Sequence, residues 1–144
     1  IADASAPFYS RGDDSGTHAM ERGLWTEAAI DPSEQGWYSE VGQGMGATLT
    51  IAAEAEGYAL TDRATWLSAS DPATIGLLVE GDPRLFNVYH VIVVNPDAFP
   101  DLALNDGGAQ LFRTFLVGDE AQTVIAGFGA DQYGQPLFVP YPDE

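Results

Sequence analysis

The chain of 144 residues contains no cysteine, no lysine and no long apolar run. Without cysteine, disulfide bridges, thiolate nucleophiles and zinc–thiolate sites are excluded. Five arginines stand against 22 acidic residues, for a net charge of −17, so the chain cannot assemble the basic patch that nucleic acid requires. No apolar stretch approaches the roughly 20 residues of a membrane-spanning helix. The composition therefore predicts a protein that neither binds nucleic acid nor crosses a membrane.

What the chain does contain is typical of a globular, loop-rich protein. Apolar residues make up 45 %, with 16 glycines and nine prolines, and the length suits one ordinary domain or two small lobes. The acidity favours solubility or adaptation to high salt. Residues 1–6 include neither an initiator methionine nor a signal-peptide pattern, so we expect the chain to be processed or cut from a longer protein.

The stretch Phe8–His18 has the pattern of a strand that turns directly into a helix. It opens with two aromatic residues and continues through Gly12 and small polar residues that favour a helix N-cap. A helix is predicted over Thr17–Ala28. Its free N–H groups and positive dipole end, with Arg11 just before the turn, predict a site for an anion.

A second glycine-rich turn repeats this logic. Gly42–Thr48 is the most glycine-dense turn in the chain and leads into a predicted helix over Ala47–Glu56. Two such turns, each feeding a helix N-terminus, can face one anion from two sides.

The remaining elements predict an α/β fold. Apolar strand patterns occur at Tyr58–Thr61, Ile75–Glu80 and Phe86–Val94, the last being the strongest. Helices are predicted from Asp62 to Ser68, over Ala109–Val117, and over Glu120–Ala126 with Asp119 as the cap; the tail Tyr133–Pro140 is predicted to be extended.

The order of these motifs resembles the tungstate-binding proteins of ABC importers, and the match covers nearly the whole chain. The motifs that carry it are Ser10–His18, Glu40–Leu49, Leu60–Arg63, Glu80–Asn87, Phe128–Gly129 and Tyr133–Phe138. The resemblance implies a periplasmic-binding-protein-like fold of type 2, in which two α/β lobes hold a tetrahedral oxyanion in a cleft. It also implies that the protein is not an enzyme and needs no cofactor or metal.

The resemblance also implies which residues hold the oxyanion. Arg11 is the charged contact, residues 15–17 offer amides and hydroxyls, and residues 44–46 offer amides from the facing turn. The candidate ligand-binding residues are Ser10, Arg11, Ser15, Gly16, Thr17, Gly44, Met45 and Gly46.

One difference from the family's pattern sets the expected boundaries of the lobes. Family members begin with a segment of the first lobe that carries a run of Thr and Ser, and nothing like it precedes Pro7. The resemblance thus places the second lobe at residues 6–85, and the hinge crossing with the C-terminal part of the first lobe at residues 86–144. The N-terminal part of the first lobe is expected to be absent.

The implied function is capture of tungstate or molybdate outside the cytoplasm, in the periplasm or on a lipoprotein anchor, and its delivery to a membrane permease. The signal segment is then expected to lie outside this chain. The alternative is a ligand-sensing domain of the same fold attached to an intracellular regulator.

Plainer interpretations of the same residues remain open. Arg11 can instead form a surface ion pair with Asp13 or Asp14, as most arginines near aspartates do. An enzyme would use Ser15 as nucleophile and His18 as base, but no orienting carboxylate is evident. His18 is otherwise a first-turn helix residue and His90 a strand residue. The acidic residues also lack the spacing of a calcium loop.

Overall fold

A computed structural model of the chain describes residues 1–69 and 74–140. The structure divides into two units, residues 1–87 and residues 88–144. The lobe boundary expected from the sequence falls close to this division, and the assignment of the units to lobes stays a prediction.

A small parallel sheet organises the first unit. Strand β1 (Phe8–Ser10) pairs with strand β2 (Tyr38–Glu40), with Phe8 opposite Tyr38 and Ser10 opposite Glu40. Because parallel neighbours cannot be joined by a hairpin, the chain between them forms a crossover that contains helix α1 (Gly16–Glu27). The first unit therefore begins with a β–α–β arrangement.

Five further α-helices and three short 3₁₀-helices complete the described residues. The first unit contains α2 (Met45–Glu54) and α3 (Arg63–Ala69), and the second unit contains α4 (Asp106–Val117), α5 (Asp119–Gly127) and α6 (Ala130–Tyr133). The 3₁₀-helices are Ala2–Ala4, Pro83–Leu85 and Pro96–Ala98. No helix within the described residues is long and apolar enough to cross a membrane.

Side-chain caps fix where several helices begin. The Ser15 hydroxyl accepts the His18 N–H at α1, Asp62 accepts the Thr65 N–H at α3, and Asn105 accepts the Gly108 N–H at α4. The predicted cap at Asp62 is confirmed.

The predictions for five elements differ from the structure in detail. α1 and α2 begin one and two residues before their predicted starts, and α4 begins at Asp106 because Asn105 caps it. The prediction that Asp119 caps α5 was wrong, since Gly118 is the N-cap and Asp119 lies in the first turn. Tyr133, predicted as extended, ends α6.

The three strands predicted after residue 57 were also wrong. Tyr58 forms only a single bridge with Phe8, and within the described residues no strand forms over 75–94. Leu78 is 72 % exposed and Ile92 is 85 % exposed. An apolar run becomes a strand only where a neighbouring strand accepts its backbone hydrogen bonds, and these segments have no such neighbour among the described residues.

An aromatic core closes the first unit. Phe8 lies edge-on to Trp25 at 5.2 Å between ring centroids and stacks on Tyr38 at 6.0 Å. Below these rings the buried Glu21 carboxylate accepts the Tyr38 hydroxyl at 2.8 Å and the Trp25 indole N–H at 3.1 Å. The aromatic hydroxyl and indole thus satisfy a carboxylate that has no cation beside it in the described residues.

The second unit packs α4 against α5. Ala121 of α5 is buried, and the Phe138 ring contacts the rings of Tyr89 and Phe128. The Leu137 N–H donates to the Phe128 carbonyl at 2.9 Å, which fastens the tail to the end of α5.

We predict that Tyr38→Phe lowers the free energy of unfolding by about 1–3 kcal/mol, because the buried Glu21 carboxylate loses one of its two donors. Urea denaturation measures the change. Tyr58→Phe is the matched control, since the Tyr58 hydroxyl has no hydrogen bond within the described residues, and it should change stability little. Equal losses in the two variants would contradict the role of the Tyr38–Glu21 bond.

The Tyr38 hydroxyl also makes the free energy of unfolding depend on pH. Burial, with the nearby Glu21 and Glu40 carboxylates, raises the pKa of Tyr38 to about 12, against the opposing effect of its hydrogen bond with Ser10. An unfolded tyrosine ionises near pH 10, so the folded chain retains this proton more tightly and its stability falls as pH rises from about 10 to about 12. The stability difference between wild type and Tyr38→Phe should therefore shrink over that range in urea titrations. A constant difference would contradict the raised pKa.

Candidate functional site

The two glycine-rich turns both start at the same edge of the parallel sheet, where β1 and β2 end. Ser10 and Glu40, the last residues of β1 and β2, lie directly opposite each other. Beyond them, the Val41 N–H donates to the Ser10 carbonyl at 2.9 Å and the Gly42 N–H donates to the Arg11 carbonyl at 2.8 Å. The first turn (residues 11–15) and the second turn (residues 41–44) therefore begin side by side, each leading to a helix N-terminus.

Gly12 permits the close approach between these turns. Its φ of +60° is unfavourable for other residues, and a Cβ placed on it would lie 2.6 Å from the Glu40 Cβ. Gly42 has a similar φ of +66°, but a Cβ there would meet open space. Gly12 is thus required for packing as well as for conformation.

Arg11 lies in the first turn and pairs with Asp13. Its Nε donates to Asp13 Oδ2 at 3.1 Å, and its Nη2 contacts the same oxygen. The ion pair that the sequence left open is therefore formed. Hydrogen bonds from Ser15 and from Arg11 hold the pKa of Asp13 below its usual value, although desolvation opposes them. Within the described residues, Arg11 Nη1 makes no hydrogen bond, so part of the guanidinium remains available.

The helix ends at this edge present free amides. In the part of the chain that the structure describes, the backbone N–H groups of Gly16 and Thr17 at α1, and of Met45 and Gly46 at α2, have no protein acceptor. Such amides carry the positive end of the helix dipole. The edge of the sheet thus combines two helix N-termini with one arginine.

Each predicted site residue can be located within this arrangement. Ser15 is the N-cap of α1 and Gly44 the N-cap of α2. The Met45 side chain is buried in the core, so only its amide is available. Ser10 is almost fully buried, and its hydroxyl accepts the Gly12 N–H at 3.3 Å. The turns are brought together, whereas the role of each residue toward a ligand stays a prediction.

Two polar residues at this edge were not predicted as part of the site. Asn87 Oδ1 lies 3.9 Å from the position of a Cβ on Gly16, close to the start of α1. His18 is 4 % exposed, and its Nδ1 accepts the Asp14 N–H at 3.0 Å. Two signals in the sequence could have pointed to these residues. Asn87 ends the motif Glu80–Asn87, and His18 follows Asp14 by four residues across the N-cap of α1.

Groups of three or more His, Cys, Asp or Glu side chains able to hold a metal are absent from residues 1–69 and 74–140. The donors at the edge of the sheet are N–H and hydroxyl groups, which suit an anion rather than a cation.

Comparison with known proteins identifies the family. The model of the PBP superfamily domain matches residues 1–120. The chain belongs to the PBP superfamily. The α/β, periplasmic-binding-protein-like fold that the motifs predicted is thereby confirmed.

The relatives within the superfamily include proteins named for tungstate binding. The chain is 43 % identical over 140 residues to the tungstate-binding protein TupA of Peptoclostridium acidaminophilum, covering 97 % of this chain and 48 % of that protein. It is 36 % identical over 143 residues to TupA of Campylobacter jejuni, covering 96 % and 52 %.

A solved structure agrees. The tungstate-binding protein TupA of Desulfovibrio alaskensis superposes with a TM-score of 0.77 at 38 % identity, covering 99 % of this chain and 58 % of that one. The chain therefore spans about half the length of the superfamily members that it matches.

We predict that Gly12→Ala destabilises the chain by roughly 1–3 kcal/mol more than Gly42→Ala. Both variants place alanine at positive φ, at about 1–2 kcal/mol each, but only Gly12→Ala drives a Cβ into Glu40. Urea denaturation of the two variants measures the difference. Similar losses would show that the turns do not pack as closely as described.

Proposed function

We propose that this chain is the oxyanion-binding part of an extracytoplasmic solute-binding protein that captures tungstate or molybdate for the permease of an ABC importer. The observation that carries the proposal is the shared sheet edge, where two helix N-termini with free amides adjoin Arg11. The names of the relatives supply the identity of the oxyanion.

The donors suit a tetrahedral dianion. Amides at a helix N-terminus bind anions without a counter-charge of their own, and hydrogen bonds to a charged ligand each contribute about 1.5–3 kcal/mol. Five or six such hydrogen bonds would give a binding free energy of roughly −8 kcal/mol after the entropy and desolvation costs of binding. This corresponds to micromolar affinity. Neutral donors plus Arg11 are therefore sufficient.

The net charge of −17 does not prevent this. Screening at physiological salt acts over about 8 Å, so carboxylates that lie farther than this from the edge of the sheet contribute little there. Three carboxylates lie close to the proposed site. Asp13 is fixed by its bonds to Arg11 and to the Ser15 N–H, Asp14 lies near Arg22, and Glu40 lies near His18. We assign Asp13 the task of orienting Arg11 so that Nη1 is left for the oxyanion.

The geometry argues against catalysis by Ser15. Its hydroxyl accepts the His18 N–H, and His18 Nδ1 already accepts the Asp14 N–H. The imidazole is therefore not placed to take the Ser15 proton, as a nucleophile–base pair would require. Reversible binding without chemistry is the function that these contacts support.

We predict that Arg11→Ala weakens tungstate binding about 10- to 100-fold, the equivalent of one hydrogen bond to a charged group. Isothermal titration calorimetry with tungstate, molybdate and sulfate measures the affinities. Arg113→Ala is the matched control, since it removes the same charge from α4 in the second unit and should bind as wild type does.

Equal affinities of the wild type and Arg11→Ala would refute the assignment of Arg11. Absence of heat with all three anions would refute the proposed function for this chain. Circular dichroism of each variant distinguishes loss of binding from loss of fold.

A further inference from the structure

His18 lies buried beneath the first turn and touches both halves of the proposed site. It is the third residue of α1, and its side chain is 5 % exposed. On one side its ring meets the first turn at Asp14, and on the other side it meets Glu40 at the end of β2.

The contact with the first turn supports an unfavourable backbone conformation. Asp14 has a φ of +55°, in the left-handed region that residues other than glycine rarely adopt. Its N–H donates to His18 Nδ1 at 3.0 Å. A buried acceptor at this position compensates for the strain and holds the chain between Arg11 and the start of α1.

This hydrogen bond fixes the protonation of the ring. Because Nδ1 accepts, the proton of the neutral imidazole is on Nε2. Nε2 is buried, makes no hydrogen bond among the described residues, and lies 3.5 Å from Glu40 Oε1. Glu40 directly precedes the second turn, so the ring lies between the two turns.

We propose that His18 is a positioning residue of the oxyanion site, whose unprotonated Nδ1 holds the first turn in its binding conformation and whose protonation releases that turn. The proposal rests on the proposed function. His18 acts through the Asp14 amide, which orders the backbone that presents Arg11 and the free amides of Gly16 and Thr17.

Proton uptake changes the partners of the ring in a defined way. A proton on Nδ1 converts the acceptor into a donor, so the Asp14 N–H loses its partner. Asp14 Oδ1, 3.8 Å from Nδ1, and Glu40 Oε1 are the charged groups that face the ring. Arg22, on the same helix, lies 3.8 Å from Asp14 Oδ1. The Asp14 N–H, on a residue at positive φ, thereby loses the acceptor that supports the turn.

A first experiment tests the hydrogen bond without any anion. In the ¹⁵N-labelled chain, NMR detects a scalar coupling across the bond between the Asp14 amide nitrogen and His18 Nδ1. We expect this coupling at about pH 8 and its disappearance at about pH 5.5, over the range in which histidines exchange protons. Absence of the coupling at about pH 8, or its persistence on acidification, would overturn the proposal.

A second experiment links the bond to binding. Calorimetric titration with micromolar tungstate compares wild type, His18→Leu and His18→Asn at the two pH values. Asparagine places an oxygen near the position of Nδ1 but cannot take up a proton, whereas leucine keeps volume and removes the acceptor. His90→Asn, in the second unit, is the matched control for the loss of a histidine.

At about pH 8 we expect His18→Leu to bind about five- to tenfold more weakly than wild type, the equivalent of one neutral hydrogen bond, and His18→Asn to restore most of the affinity. On acidification the wild type and His90→Asn should lose several-fold more affinity than His18→Asn. The His18→Asn profile also gives the pH dependence that belongs to the anion itself.

Wild-type affinity in His18→Leu, or the same pH dependence in His18→Asn and wild type, would overturn the role of His18. If the wild type binds no oxyanion, the proposed function fails and with it the role of His18 in binding. The NMR coupling then still decides whether a proton controls the turn, so the two failures are distinguishable.

Discussion

The parallel pairing of β1 with β2 is the constraint on which the site depends. Parallel strands end at the same edge of a sheet, and the register of Ser10 opposite Glu40 brings both following turns to that edge. Each turn then opens a helix whose first amides have no intrahelical acceptor. A three-residue strand pair therefore brings two separate glycine-rich stretches of sequence to one edge, which carries the proposed oxyanion site.

Hydrogen bonds within the first turn fix the position of its side chains. Asp13 accepts from Arg11 and from the Ser15 N–H, Ser15 caps α1, and His18 accepts from Asp14. The Asp13, Ser15 and His18 side chains are thus committed to the turn, whereas the Asp14 carboxylate is exposed and lies 3.8 Å from Arg22. The free groups of the turn include backbone N–H groups and part of one guanidinium, which donate hydrogen bonds and suit an anion.

The local signals in the sequence predicted the elements of this edge well. Glycine, serine and aspartate at the ends of helices act through contacts three or four residues apart, so the starts of α1 and α3 and the presence of α2 were accessible from the sequence. The convergence of the two turns was also predictable, because a glycine-rich turn that leads into a helix occurs twice. The burial of His18 and the position of Asn87 were not, since they depend on which distant segments pack against α1.

The strand predictions failed where they depended on neighbours. Residues 75–94 have the composition of buried strands, yet Leu78 and Ile92 are exposed and their segments are unpaired within the described residues. β-Structure is stabilised by partners far away in sequence, whereas a helix satisfies its own backbone. The elements of the proposed site are helices and a strand pair completed within residues 8–54, so the site is defined by contacts internal to the first unit. Because the proposed site forms within residues 8–54, oxyanion binding can be proposed for this chain even though it spans only about half the length of its relatives.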